Sequence, residues 1–116
     1  MAVNLHDHAN ELEKALRQSD EYAYLMKMYA EVNADETAQK MFETFRDIQM
    51  KLQQKQMAGE EISQEEVEHA QKYAALVQQQ EKIAKLMEAE QRMSMLINDL
   101  NRIIMKPLEE LYGSMQ

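Results

Sequence analysis

Apolar residues recur along this chain at the three- and four-residue intervals of an amphipathic helix, and polar residues mark where each helix begins and ends. Leu5, Ala9, Leu12 and Leu16 follow Asn4, an N-cap residue with Asp7 three positions on, which resembles a capping box with Asp in place of Glu. A second helix begins after Ser19, with Asp20 and Glu21 at the end where the helix dipole favours acids. Its expected inward face is Tyr22, Leu25, Met26, Tyr29 and Val32, and its stop lies near Asn33. Asn33 or Asp35 then caps a long helix in which Ala38, Met41, Phe45, Ile48 and Leu52 keep the heptad rhythm of a packed seam, widened by Phe42.

Gly59 falls where that rhythm ends, as a residue needed at positive φ to close a helix would. Ser63 and Glu66 form an S-x-x-E capping box for the next helix, and Glu60, Glu61, Glu65, Glu66 and Glu68 crowd its positive end, so an antiparallel hairpin about Gly59 is expected. Val67, Ala70, Tyr73, Ala74 and Val77 are its expected inward face, and the polar run from Gln78 to Glu81 predicts a kink or short break. The last long helix carries Ile83, Leu86, Glu90, Met93, Ile97, Leu100 and Ile104 in unbroken alternation, with Met87, Leu96 and Ile103 beside the stripe. Pro107 lacks an amide hydrogen and is expected to end or bend that helix, leaving Leu108 to Tyr112 as a final turn stopped by Gly113, with a mobile tail after it. No repeat or low-complexity linker interrupts these elements. The expectation is an all-α antiparallel helical bundle with long helices about a Gly59 turn, oligomerising through helix seams, with residues 1–116 as a single domain.

Composition sharpens this picture. The chain has only two Gly and one Pro, and Val, Ile and Thr together number twelve, too few strand formers and turn residues for a sandwich or barrel. A net charge of -8 disfavours nucleic acid and anionic membrane surfaces as partners, because both present like charge. With no Cys there is no disulfide framework, no thiolate nucleophile and no thiolate ligand for zinc or an iron–sulfur cluster. The first ten residues lack the basic region and apolar run of a signal peptide, and no stretch approaches the apolar length of a membrane span, so a cytoplasmic location is expected.

Candidate chemistry is sparse. His6 and His8 flank Asp7, but helix positions i and i+2 point about 200° apart, so the two imidazoles cannot share a metal. His69, near Glu65, Glu66, Lys72 and Tyr73, has no second histidine one turn away and fits a solvated salt-bridge lattice. Glu90 is the unusual residue, because it occupies the apolar seam between Leu86 and Met93; a structural partner such as Arg46 or Arg92 is the expected explanation. Phosphate-binding glycine loops, G-x-S-x-G elbows and H-E-x-x-H pairs are absent, so no catalytic, cofactor or metal residue is assigned and an enzyme is not expected. The eleven Met residues suit both core packing and an adaptable binding surface. Charge is uneven: residues 1–36 sum to -5, residues 38–58 to +2 and residues 60–68 to -5. Lys40, Arg46, Lys51 and Lys55 thus form the least acidic face, though without the aromatic interleaving of a single-strand groove; pairing with the acidic helices is the better explanation of them.

The segments NADETAQKMFETFRDIQMKLQQKQMAGEEISQEEVEHAQ and LMEAEQRMSMLINDLNRIIMKPLEELYG closely resemble the YheA/YmcA-like proteins of bacilli, in the YlbF/YmcA family, and the likeness extends over nearly the whole chain. The resemblance implies a small all-helical oligomer from a Gram-positive bacterium and brings no catalytic signature. Relatives look like regulatory adaptors: YlbF and YmcA act with a third protein in a complex linked to competence, sporulation, biofilm formation and RNA maturation through ribonuclease Y. The cysteine-ligated iron–sulfur clusters associated with those relatives do not carry over, because this sequence has no Cys.

The leading expectation is a non-enzymatic cytoplasmic protein that associates with itself as a homodimer or higher oligomer and binds a regulatory protein partner, without cofactor or membrane. The interface candidates are Met41, Phe45, Ile48 and Leu52 on one seam and Glu90, Met93, Ile97 and Leu100 on the other. The alternative is an RNA-associated factor using the Lys40, Arg46, Lys51 and Lys55 face, and a third, ranked last, is a small-molecule or metal site around Glu90.

Overall fold

The computed structural model describes residues 4–113, and every regular element among them is an α-helix. In chain order these are α1 (Leu5–Arg17), α2 (Asp20–Ala34), α3 (Glu36–Met57), α4 (Gln64–Gln79) and α5 (Glu81–Gly113). No helix of the described residues is long and apolar enough to cross a membrane. The tail beyond Gly113 lies outside the described residues.

Short polar side chains set the helix starts by accepting hydrogen bonds from backbone amides that have no intrahelical partner. The Asn4 side chain accepts from the Asp7 amide, and the Ser19 hydroxyl accepts from the Tyr22 amide while donating to the Leu16 carbonyl. Of the two residues that could cap α3 it is Asp35 that does so, accepting from the Thr37 and Ala38 amides. Ser63 and Glu66 make the full reciprocal capping box of α4. The expected break after α4 is a single residue, Gln80, whose side-chain oxygen accepts from the Lys82 and Ile83 amides and so starts α5. Gly59 adopts φ +72°, and α3 and α4 pack as a hairpin about it.

The chain groups into two compact units, one drawn from Met1–Leu25 and Glu88–Gln116, the other from Met26–Met87. The second unit holds most of the core: Met28, Val32, Ala38, Phe42, Phe45, Val77, Ile83 and Leu86 are all buried. Full burial of side chains the size of Ile83 or Leu86 contributes about 2 kcal/mol each. Two ion pairs tie its helices at opposite ends, Lys55 to Glu66 at 2.7 Å beside the Gly59 turn and Lys82 to Asp35 at 3.1 Å at the start of α3. In the first unit Ala89 and Met93 are buried, and the Arg92 guanidinium lies 5.3 Å from the Tyr24 ring centroid.

Three expectations are corrected. On α2 it is Met28 that is buried with Val32, while Met26 and Tyr29 are exposed. At 100° per residue Met28 lies about 40° from Val32 around the helix whereas Met26 lies about 120° away, so a count of apolar residues alone placed the face too far round. On α4 Val67 is exposed; Glu66, which lies nearer the meridian of the buried Val77, takes the inward position and reaches Lys55. Finally, α5 does not end at Pro107 but runs through it to Gly113. The proline removes a single hydrogen-bond donor, and every residue from Asn101 to Gly113 is exposed, so the carbonyl one turn back is open to water.

Candidate functional site

α1 is amphipathic, yet none of its residues is buried, and Leu5 and Leu12 lie exposed. In α5 full burial stops after Met93 although the apolar pattern does not: Leu96 and Leu100 are half-buried, and Ile97, Ile103, Ile104, Met105, Leu108, Leu111 and Tyr112 are exposed. Both stretches belong to the first unit.

The second unit carries a groove of about 330 Å³ where α2 meets α3. Tyr29, Phe42 and Met50 give it apolar walls, with Asn33, Gln39, Glu43 and Asp47 as polar lining. The Arg46 guanidinium, also in the lining, stacks 4.7 Å from the Phe42 ring centroid, a cation–π contact that holds the Phe42 side of the groove. The exposure of Tyr29 is what builds this groove: the residue lines it beside α3 instead of entering the core. The α2 stripe in the sequence already contained Tyr29, but nothing in a single helix's spacing distinguishes a core position from a groove wall.

The interface candidates divide by burial. Phe45 and Met93 are buried, Met41, Ile48, Leu52, Glu90 and Leu100 are half-buried, and Ile97 is 40% exposed. Each candidate set therefore has one buried residue, and only the α5 set includes an exposed one. Of the two donors named for Glu90, Arg92 bonds Glu88 at 2.6 Å.

The basic face of α3 is taken up by neighbouring acids. Lys40 pairs with Glu36 at 3.2 Å, Lys51 with Asp47 at 3.1 Å and Lys55 with Glu66. Two carboxylates are held below their ordinary pKa. The Lys55 ammonium lowers that of Glu66, with Ser63 adding hydrogen bonds and partial desolvation opposing. The Ala38 amide lowers that of Asp35, followed by Lys82. Both groups cap helices and so are structural acceptors of hydrogen bonds. His69 is exposed, its ring 6.3 Å from that of Tyr73, and His8 lies 3.9 Å from Glu11. Among the described residues no group of three or more His, Asp or Glu is placed to hold a metal ion, and no buried polar side-chain atom lacks a hydrogen-bond partner.

Over residues 5–109 the sequence matches the protein family described as control of competence regulator ComK, YlbF/YmcA. It is 72% identical over 114 residues to a UPF0342 protein of Bacillus licheniformis, covering 98% of this chain and 97% of that one. Identity is 70% over 116 residues with the UPF0342 protein YheA of Bacillus subtilis, covering 100% of this chain and 99% of that protein. The fold matches the solved structure of a protein of unknown function (DUF964) from Bacillus stearothermophilus with a TM-score of 0.90, at 48% identity, over 98% of this chain and 100% of that one.

Proposed function

The chain belongs to the YlbF/YmcA family, and we propose that it is a non-enzymatic regulatory adaptor of the cytoplasm, a homo-oligomer that acts in the control of the competence regulator ComK by binding other proteins. Residues 1–116 serve this role as one all-helical domain. The observation that carries this reading is the groove on the α2 and α3 surface, in which the apolar Tyr29, Phe42 and Met50 stand among polar and charged side chains, with no metal-holding group among the described residues. Such a groove suits a short amphipathic segment of a protein partner, anchored by one or two apolar side chains against Tyr29, Phe42 and Met50. The flexible thioether of Met50 adapts its wall to the occupant. Self-association uses one of the two seams, Met41, Phe45, Ile48 and Leu52 or Glu90, Met93, Ile97 and Leu100. The RNA-associated alternative gains nothing from the α3 lysines, each of which has a carboxylate partner.

The test is affinity capture from the host bacterium with the wild-type protein and a Met50→Glu variant, with ComK levels followed in a strain lacking the gene. The expected result is a specific partner retained by the wild type and lost by the variant, together with altered ComK. Absence of any specific partner across growth conditions, with ComK unchanged, contradicts the proposal.

A further inference from the structure

The apolar face that α5 buries in its first half continues to its end, half-covered at Leu100 and uncovered from Asn101 onward. Around the helix at 100° per residue, Ile97, Leu100, Ile104, Leu108 and Leu111 fall on the same arc as the buried Ile83, Leu86, Ala89 and Met93. With Ile103, Met105 and Tyr112 at its margins, the arc spans roughly 200° of the circumference, about twice what contact with one neighbouring helix requires. Asp99, Arg102, Lys106, Glu109 and Glu110 occupy the opposite side. The break at Pro107 that would have ended this face does not occur.

We infer that the C-terminal part of α5, Ile97 to Tyr112, is the surface through which two copies of this chain associate, antiparallel across a two-fold axis. This rests on the homo-oligomer reading and assigns its surface. Three observations select a second copy as the occupant. The first is area. At roughly 200 Å² for each fully exposed large side chain, the six exposed apolar residues from Ile103 to Tyr112 present on the order of 700 Å². Ile97 raises this to about 770 Å², close to the roughly 800 Å² that each partner gives to a stable complex. It also exceeds the largest apolar patch that monomers usually tolerate, roughly 300–600 Å².

The second is spacing. Leu100, Ile104, Leu108 and Tyr112 lie four residues apart. An antiparallel overlap centred on residue 106 therefore sets Ile104 level with Leu108 of the second copy and Leu100 level with its Tyr112, an isologous contact in which the same patch serves both sides. The arc is wide enough for two helices, and the second copy offers two with uncovered apolar stripes, α5 and α1.

The third is charge. A chain of net charge -8 repels its copy over most of its surface, but from Ile97 to Gly113 two basic residues stand against three acidic ones, and all five face away from the arc. Approach there meets little repulsion.

Sedimentation analysis of the full chain, beside Ile104→Glu and Leu108→Glu variants and a Leu52→Glu variant in the α3 seam, tests the assignment. The wild type is expected to be a dimer. Either α5 variant should raise its dissociation constant by at least about 100-fold, with helicity by circular dichroism retained because both side chains are exposed in the single chain. Leu52→Glu should leave a folded dimer intact. Because the chain has no Cys, a second measurement is clean: Ile104→Cys and Leu108→Cys proteins, mixed and oxidised, should form the mixed disulfide faster than either forms its own. Dimers that survive both α5 variants, or lack the mixed disulfide, overturn the assignment while leaving self-association standing. A monomeric wild type overturns the assignment together with the homo-oligomer reading.

Discussion

A few side chains with no bulk to contribute decide where the helices start and turn. Gly59 sits at φ +72° with nothing within 4 Å of the position a Cβ would take. Its role is therefore conformational, and Gly59→Ala should cost about 1 kcal/mol, the strain of a left-handed residue. Urea unfolding checks this, and a loss near zero would mean the turn rearranges without difficulty. Asp35 and Glu66 add a pH dependence. Their folded pKa values are lowered by the Ala38 amide and Lys82 in one case and by Lys55 in the other. A depressed folded value means that the stabilisation is complete above the ordinary carboxylate pKa and is lost as pH falls through the folded value. Asp35→Asn should therefore lower Tm at pH 7, and the gap from wild type should close as the medium is acidified below about pH 4. A gap that is unchanged at pH 2 would exclude the ion pair and cap as its source.

At the scale of whole helices, burial depends on angular position more than on hydrophobicity. Leu76 and Val77 are adjacent, but Leu76 is 48% exposed and Val77 fully buried. Leu86, at 1% exposure, should cost about 3 kcal/mol when cut to Ala, whereas Leu76→Ala should stay within about 1 kcal/mol. Equal losses at the two sites in denaturant unfolding would show that the α4 register is wrong. Helix boundaries were readable from the sequence because caps are local: Asn4, Ser19, Asp35 and Ser63 each bond an amide two or three residues away. The Gly59 turn and the break before Glu81 follow from equally local chemistry. Which apolar residues become core was only partly readable, since Tyr29 and Val67 carry the right side chains one step off the buried meridian. The groove wall formed by Tyr29 and the uncovered end of α5 were not readable, because a heptad pattern shows which face is apolar and is silent on how far a neighbour extends along it. The end of α5 expected at Pro107 does not occur for a different reason: a helix-interior proline costs a hydrogen bond, and an exposed stretch lets water replace it.

For the molecule as a whole, the decisive feature is the contrast between a well-packed second unit and a first unit with apolar helix faces left open. In unit two Ile83, Leu86, Val32 and Val77 are fully buried, while no residue of α1 is buried. Apolar faces of this extent on a chain of charge -8 are the kind that another polypeptide covers. On the proposed reading, this member of the YlbF/YmcA family has one surface for its own copy and a groove for its target. The most direct test is the mass of the full chain in dilute solution by multi-angle light scattering. The expected value is at least twice the 13.6 kDa of one chain, constant over a wide range of concentration. A mass of 13.6 kDa throughout would contradict it, because the open faces of α1 and α5 would then be stable in water without a second copy.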